Sequence, residues 1–380
     1  MAFVFRKITK RVFITIHLIT AFVFLLACCN AFLNPMHWWF ISILGLMFPF
    51  LIVFIILFGI LWLLFRSRWA FLSLACLILG YNNIRALIGF NFGKEKKYTK
   101  TKPANSLRVM TWNVTWFDEQ TKPTRNRKPY RPEMLKFIKE QDADILCFQE
   151  YLEPHNPKIP YNNREDFAKM GYPYAMTVSD YVGWKNMFHS GVAIFSKYPI
   201  LDSSRYIYPG PKNFRAAESL IYIDINFNGQ KVRVYTTHLQ SVLFQPKDYA
   251  NLNKIKSASD SMYEASLSII NKLGMGYLFR GQQADIVRRQ VDASPYPSIL
   301  CGDFNDVPNS YTYFHIKGDR RDAFRAAGAG IGRTFRHVAP TLRIDYIMAD
   351  KRFDVLQYFR YILDYSDHYP VIADLTLQNK

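Results

Sequence analysis

The chain opens on a pattern with no polar period. Between Arg11 and Arg66 there is no Asp, Glu, Lys or Arg for 54 residues. A transmembrane helix needs roughly 20 mostly apolar residues, and Val12 to Leu33 meets that before Pro35 breaks it. Trp38 to Phe65 is a second such stretch, opening on the pair Trp38-Trp39 that suits a membrane–water interface. A third runs from Trp69 towards Phe90, interrupted by Asn82, Asn83 and Arg85. No polar face recurs at helical spacing, which argues against a buried hairpin of soluble helices. The apolar stretch is too long, and resumes too soon, for a cleaved signal peptide. The expectation is a membrane region over residues 1–93 with two to three transmembrane helices.

From residue 94 the pattern changes. Residues 94–106 hold five lysines and Pro103 with no apolar period, and read as a basic linker. Short apolar, β-branched runs then recur between turn signals. They predict strands at 107–113, 144–149, 191–196, 218–227, 231–238, 297–303, 343–349 and 370–377, with Asn228-Gly229 turning a hairpin. Helical spacing fits 131–141, which Pro132 can open, and 281–293. The stretch 241–280 departs from this rhythm; Met262, Leu267, Ile269, Ile270 and Leu273 are among the residues that predict one or two inserted helices. Such an insertion reads first as surface decoration, and its apolar end at Met275 to Phe279 also permits a cap facing substrate or membrane. The result is a mixed α/β domain over 107–380, and the pattern alone does not choose among such folds.

Charge divides the chain at the same place. Of the net +18, residues 1–93 contribute seven basic residues and no acidic one, and the first acid is Glu95. The remainder carries +11, a balance that suits polyanions, nucleic acid first among them. The linker lysines would also sit well against anionic headgroups. Arg6, Lys7, Lys10 and Arg11 precede the first span and favour a cytoplasmic N-terminus. With three spans, Arg66 and Arg68 face inward, and the α/β domain lies outside the inner (cytoplasmic) membrane of a multi-pass protein. A re-entrant third segment would reverse its side. The spans contain no acid, and ionisable candidates such as His17 and Arg85 form no transport pathway. Of five cysteines, three lie in the spans, while Cys147 and Cys301 sit in strand-like runs; neither a disulfide framework nor a metal spacing emerges.

Most of the strand-like runs end on chemistry. In order these are Thr-Trp-Asn (111–113), Phe-Gln-Glu (148–150), Thr-Thr-His-Leu (236–239), Gly-Asp-Phe-Asn (302–305), Arg-Ile-Asp-Tyr (343–346) and Ser-Asp-His (366–368). A carboxylate such as Glu150 at the end of a buried strand is costly unless it is paired or metal-bound. Strand alternation puts Asp303 and Asn305 on one face, where Asp303 can orient or deprotonate a water and Asn305 can donate to a phosphate oxygen.

This set of motifs resembles the endonuclease/exonuclease/phosphatase family, over about 107–377. The resemblance implies a four-layer α/β sandwich, two packed mixed sheets flanked by helices. It implies a phosphoric ester hydrolase that uses a divalent metal, Mg²⁺ or Mn²⁺ in its place. Glu150 would be the main metal ligand, with Asn113 beside the metal and on the phosphate and Asp367 as a second contact. Asp345 would orient His368, and His238 would serve as an acid or phosphate contact. Arg215 fits a basic residue that meets phosphate, whereas His155, His189, His315 and His337 match nothing in the family. The reaction would be in-line attack of water on phosphorus, with a nuclease as the leading reading. The membrane tether favours an alternative, a lipid-headgroup phosphodiesterase or phosphatase. A catalytically inactive binding module is a third. Partners expected are the phosphate ester and the bilayer, and no protein.

Overall fold

The computed structural model describes residues 2–95, 98–121, 127–155, 159, 161–183, 187–210, 218–242, 247–248, 250–251, 255 and 262–378. The apolar N-terminal region is helical: α1 (Ala2–Cys28), α2 (Pro35–Leu64), α3 (Ala70–Leu79) and α4 (Tyr81–Leu87). Two helices are long and apolar enough to cross a membrane, Lys7–Ala31 and Pro35–Leu64. The third expected span is bent by 66° between α3 and α4, at the Gly80 that Asn82, Asn83 and Arg85 follow. Phe24, Phe48, Ile52, Ile55 and Cys76 pack these helices together. His17 is a structural pin among them. Trp62 Nε1 donates to its Nδ1 at 3.0 Å, so the ring proton sits on Nε2, which lies 3.0 Å from Ser73 Oγ. One imidazole thereby ties α1, α2 and α3 and leaves no ring nitrogen unpaired in an apolar bundle.

The rest is a four-layer α/β/β/α body. One sheet contains β1 (Leu107–Asn113), β2 (Ile145–Pro154), β3 (Tyr174–Thr177) and β4 (Phe188–Ser196). The second begins with β5 (Asp202–Ile207), β6 (Ser219–Phe227), β7 (Gln230–His238), β8 (Ser298–Asp303), β9 (Arg321–Asp322) and β10 (Asp345–Ala349). The chain then returns to the first sheet with β11 (Phe353–Arg360) and β12 (Val371–Leu377). Strand orders are β11-β12-β1-β2-β4-β3, with Tyr181–Gly183 added against β4, and β9-β10-β8-β7-β6-β5. Within each sheet the central pair is parallel, β1 with β2 and β7 with β8, and the other pairings are antiparallel.

Both faces of the inner strands are covered, which is why they read as near-continuous apolar runs. Val109, Ile145, Ile194, Ile223, Val234 and Ile299 meet between the sheets. Met110, Trp112 and Phe148 face outward onto α5 (Arg131–Gln141), which the sequence places at the same residues, and onto Phe167 of α6 (Asn163–Lys169). Leu300 and Tyr235 face outward onto α7 (Met262–Asp292) and α8 (Tyr311–Lys317). The helix expected at 281–293 and part of the expected insertion are therefore one 31-residue helix. Most of 243–261 lies outside the described residues. The apolar runs do not predict β3, β5, β9 or β11.

One buried ion pair holds the strands that carry the site. Arg108 on β1 donates from Nε and Nη2 to the two oxygens of Asp374 on β12, at 2.7 and 2.8 Å, and both side chains are sealed. Asp374→Ala leaves that guanidinium buried without its counter-ion. It is expected to cost about 3–5 kcal/mol, read as a lower denaturant midpoint with an unchanged m-value.

Candidate active site

The motif residues converge because parallel strands end at the same edge. Asp303, the last residue of β8, has His238 opposite it on β7 and Asp345 opposite it on β10. Asn113 ends β1 and Glu150 lies on its parallel neighbour β2. Glu150 is not a strand end, however. β2 runs on to Pro154, and the pairing slips between Phe148 and Tyr151, with Glu150 at φ 49°. That bulge turns the carboxylate out of the sheet. Gly302 answers a different need: a Cβ there would lie 2.1 Å from the Thr237 carbonyl oxygen. Only glycine lets β7 and β8 close up where His238 and Asp303 face each other.

Asp303 is at the centre and almost wholly buried. Its Oδ1 accepts from the Asn305 amide at 2.8 Å and its Oδ2 from Asn113 Nδ2 at 3.1 Å. The Nε2 atoms of His238 and His368 each lie 3.6 Å from that same Oδ2, beyond hydrogen-bond length and close enough to tighten around a substrate. Asp345 Oδ2 holds His368 Nδ1 at 2.9 Å. The His368 carbonyl accepts from Trp112 Nε1 at 2.9 Å, which fixes the backbone beneath the ring. Asn113 Nδ2 also donates to Glu150 Oε1 at 3.2 Å.

Electrostatics follow from burial and from like charges placed together. Burial pushes the Asp303 carboxyl up to about 7, with His368 opposing the rise and Asp345 adding to it. Burial likewise pushes Glu150 up to about 7, and the charge of Asp367 adds to that. For His368, burial works against the charged ring, but the carboxylates of Asp345 and Asp303 outweigh it and hold its pKa well above the ordinary value. The imidazole is therefore cationic, with its Nδ1 proton on Asp345 and its Nε2 proton towards Asp303.

Two features differ from the sequence expectation. β8 ends at Asp303 and Asn305 adopts φ 50°, so strand alternation does not govern Asn305. One of its amide N–H groups, expected on a phosphate oxygen, is engaged by the Leu239 carbonyl at 2.9 Å. Arg215 lies outside the described residues. Conversely, Thr115 and Ser366 had not been singled out for a role, and their hydroxyls both contact Asp367 Oδ1. Thr115 opens a left-handed turn, with φ from 42° to 60° over residues 115–118, a conformation disfavoured for L-residues and unreadable from composition. Beside Asp367 a cleft of about 440 Å³ is lined by Arg127, Tyr130, Arg336, His337 and Tyr365. These come from three separate loops, so no local spacing marks them.

The sequence model for the endonuclease/exonuclease/phosphatase family matches residues 110–368, the span from Met110 to His368 that contains every one of these motifs. The chain belongs to the endonuclease/exonuclease/phosphatase family. Its members are phosphoric ester hydrolases that depend on divalent metal, and a buried acid–histidine cluster of this kind is in keeping with that. A second model, a domain of unknown function, matches residues 10–87. An endonuclease/exonuclease/phosphatase from Beutenbergia cavernae is 22% identical with a TM-score of 0.51, over 72% of each chain. One from Bacteroides vulgatus is 20% identical with a TM-score of 0.50, over 72% of this chain and 99% of that one. Both likenesses show the fold. No curated protein matches the chain.

The Asp345 contact makes a direct forecast. Asp345→Asn in this family member removes the nearest negative charge from His368 and is expected to lower the pH at which that ring loses its proton. An NMR titration of the histidine ring signals would read the shift, and an unmoved His368 would mean that Asp345 does not set its charge.

Proposed function

We propose that the chain is a membrane-anchored phosphoesterase that uses Mg²⁺, or Mn²⁺ in its place, to attack phosphorus in line with water. The observation that carries this reading is Asp303, a desolvated carboxylate whose Oδ2 is flanked by His238 and a cationic His368.

The metal assignment rests on the donor set. By spacing alone, Asp303, Asp345 and His368 have atoms close enough to share an ion. That set is disfavoured, because His368 Nδ1 is already engaged by Asp345 and Mg²⁺ prefers oxygen ligands to imidazole. Glu150 and Asp367 fit better, two mutually repelling carboxylates beside the Asn113 amide, with oxygen ligands as Mg²⁺ requires. Bound there, the cation would neutralise charge that builds on the phosphoryl oxygens and leaving group.

The chain's own residues do the rest. Asp303, with its carboxylate oriented by Asn305 and Asn113, takes a proton from water. Cationic His368, oriented by Asp345, donates from Nε2 to a phosphoryl oxygen as negative charge develops. His238 offers a second contact on the other side of Asp303. Thr115 and Ser366 fix Asp367. In the adjoining cleft Arg127 is paired with Asp118 and Arg336 with Asp364, and burial lowers the pKa of His337, so the cleft offers hydrogen-bonding groups rather than net positive charge to the remainder of the substrate. Asn305 positions Asp303 through its backbone N–H, and with one side-chain N–H held by Leu239 the other can meet a phosphate oxygen.

For the membrane arrangement, the basic residues supply the argument. α1 and α2 are antiparallel, and the ends near Ala27 and Gly45 meet the α/β body through Asn309. Arg6, Lys7, Lys10, Arg11, Arg66 and Arg68 gather at the opposite ends. The positive-inside rule then puts the body outside the cytoplasm, in an inner membrane crossed three times if α3 and α4 form one bent span.

Two measurements test the chemistry. Asp303→Asn is expected to lower Mg²⁺-dependent turnover of a phosphodiester by about 10²–10⁴-fold with a melting temperature no lower than that of the wild type, and EDTA is expected to abolish the wild-type rate. Near-normal turnover in Asp303→Asn would reject the role of Asp303. Cation binding is also expected to depend on pH. Below about 7 Glu150 is protonated and must release its proton to bind, so affinity rises as pH rises through that value. Titration calorimetry in two buffers of different ionisation heat would read the released proton, and Glu150→Gln would remove it.

A further inference from the structure

The α/β body does not hang from a loose tether. Asn83 Nδ2 donates to Asn309 Oδ1 at 2.7 Å, and Asn309 Nδ2 donates to the Ala27 carbonyl at 3.1 Å. Arg343 Nη2 donates to the Ala86 carbonyl at 2.7 Å, and Asn34 Nδ2 lies 3.3 Å from both Asp285 and Tyr311. The membrane helices are thereby docked on the outer face of the β7–β8 sheet.

The docking has a direction. Along β7 and the loop after it, Tyr235 bonds the Gln290 carbonyl and the Gln240 amide bonds Gln283. Rising numbers on β7 meet falling numbers on α7, so the N-terminus of α7 points to the edge that carries His238 and Asp303. Along α2, Pro35 sits against Gly281 and Trp39 against Gly274. Again rising numbers meet falling ones. Across a kink at Trp38, the first turns of α2 therefore advance in the same sense as β7 and β8 run to their catalytic ends, and Gly45, further along, meets Asn309 beside that edge.

Distance agrees with direction. Asn309 is four positions after Asn305, so their Cα atoms lie within about 14 Å. Asn309 in turn touches the end of α1, and a Cβ on Gly45 of α2 would lie 2.5 Å from its carbonyl oxygen. The apolar stretch from Val12 to Ala31 rises about 30 Å at 1.5 Å per residue, the thickness of a hydrocarbon core. It ends at this contact. The N-terminal turns of α7, about 30 Å beyond Gln283 by helical rise, expose Met262, Tyr263 and Leu267, Tyr263 by 73%.

We propose that the catalytic edge faces the bilayer surface and that the substrate is the phosphate ester of a lipid headgroup presented from the adjoining leaflet. This rests on the phosphoesterase reading and favours a headgroup over the nucleic acid that the charge balance suggested. A site held within a headgroup's reach of the bilayer is supplied by lateral diffusion, whereas a long polyanion would have to enter the gap between body and membrane.

The test uses the full chain in vesicles of phosphatidylglycerol and phosphatidylethanolamine, and has an arm that needs no catalysis. A fluorescent residue is placed by nonsense suppression at Tyr263, at Val338 beside the site, or at Asn228 in the hairpin at the far end of β7. With a headgroup-linked spin label in the bilayer, quenching is expected at 263 and 338 and not at 228. Quenching at 228 as strong as at 338 overturns the orientation. The second arm offers one chromogenic phosphodiester with Mg²⁺, either carried on a lipid in the same vesicle or free in solution, beside supercoiled plasmid. The lipid-borne ester is expected to be favoured about tenfold or more through its local concentration. Equal use of the free ester, or preference for plasmid, overturns the headgroup assignment and leaves the phosphoesterase reading intact. No hydrolysis of any of the three overturns that reading and the substrate with it, while the quenching arm still decides the orientation.

Discussion

Buried negative charge is the constraint around which this molecule is organised. Asp303, Asp345, Asp367 and Glu150 meet at one edge, and His368 is the cation that the described residues set among them. The rise of Glu150 and Asp303 to about 7 corresponds to roughly 3–4 kcal/mol held against each charged form. Against a total stability of about 5–15 kcal/mol for a typical protein, such a site survives only if the scaffold overdetermines it. The structure does this at each member. Asp303 is fixed by two N–H donors, His368 by Asp345 and Trp112, and Asp367 by Thr115 and Ser366. A divalent cation is the remaining counter-charge, so binding it relieves strain that the fold already carries.

The two sheets are the means of holding that edge. Each contributes one parallel pair at its centre, and parallel strands bring their C-terminal ends together. Asn113 and Glu150 come from one sheet, and His238 and Asp303 from the other. Close approach is limited by backbone sterics, which explains Gly302, and by burial of charge, which explains the sealed Arg108–Asp374 pair behind the edge. Side chains that differ little in chemistry thus have unequal tasks. Asp374 serves packing, and Asp303, on the proposed mechanism, serves reaction.

Much of this was legible in the sequence because it is local. The runs ending at Asn113, His238 and Asp303 are buried on both faces, so apolar continuity marked them within a residue or two, and α5 was marked by period and by Pro132. The family resemblance named the motif residues that the structure then brings to one edge. What escaped was set by long-range geometry. β11 reads Phe-Asp-Val-Leu-Gln-Tyr-Phe-Arg, and its Asp354, Gln357 and Arg360 broke the apolar signal. The edge strand β5 has no fully buried residue and carries two serines and an arginine. The bulge at Glu150, the left-handed turn after Asn113 and the φ of Asn305 have no compositional mark. The cleft residues are joined only by tertiary folding, which is why His337 matched nothing.

The long helix α7 links the two halves of the argument. As the crossover between parallel strands β7 and β8, it must run antiparallel to them and lie on the sheet's outer face. Extended by the inserted residues beyond the strand ends, it necessarily projects past the catalytic edge. A helix that projects there with Met262, Tyr263 and Leu267 uncovered offers a surface along which α2 can pack, and α2 follows it towards the spans. In the orientation proposed above, the direction in which the membrane lies would be set by the same connection that brings His238 beside Asp303. An insertion of similar length in the hairpin at Asn228-Gly229 would project from the opposite end, away from that edge.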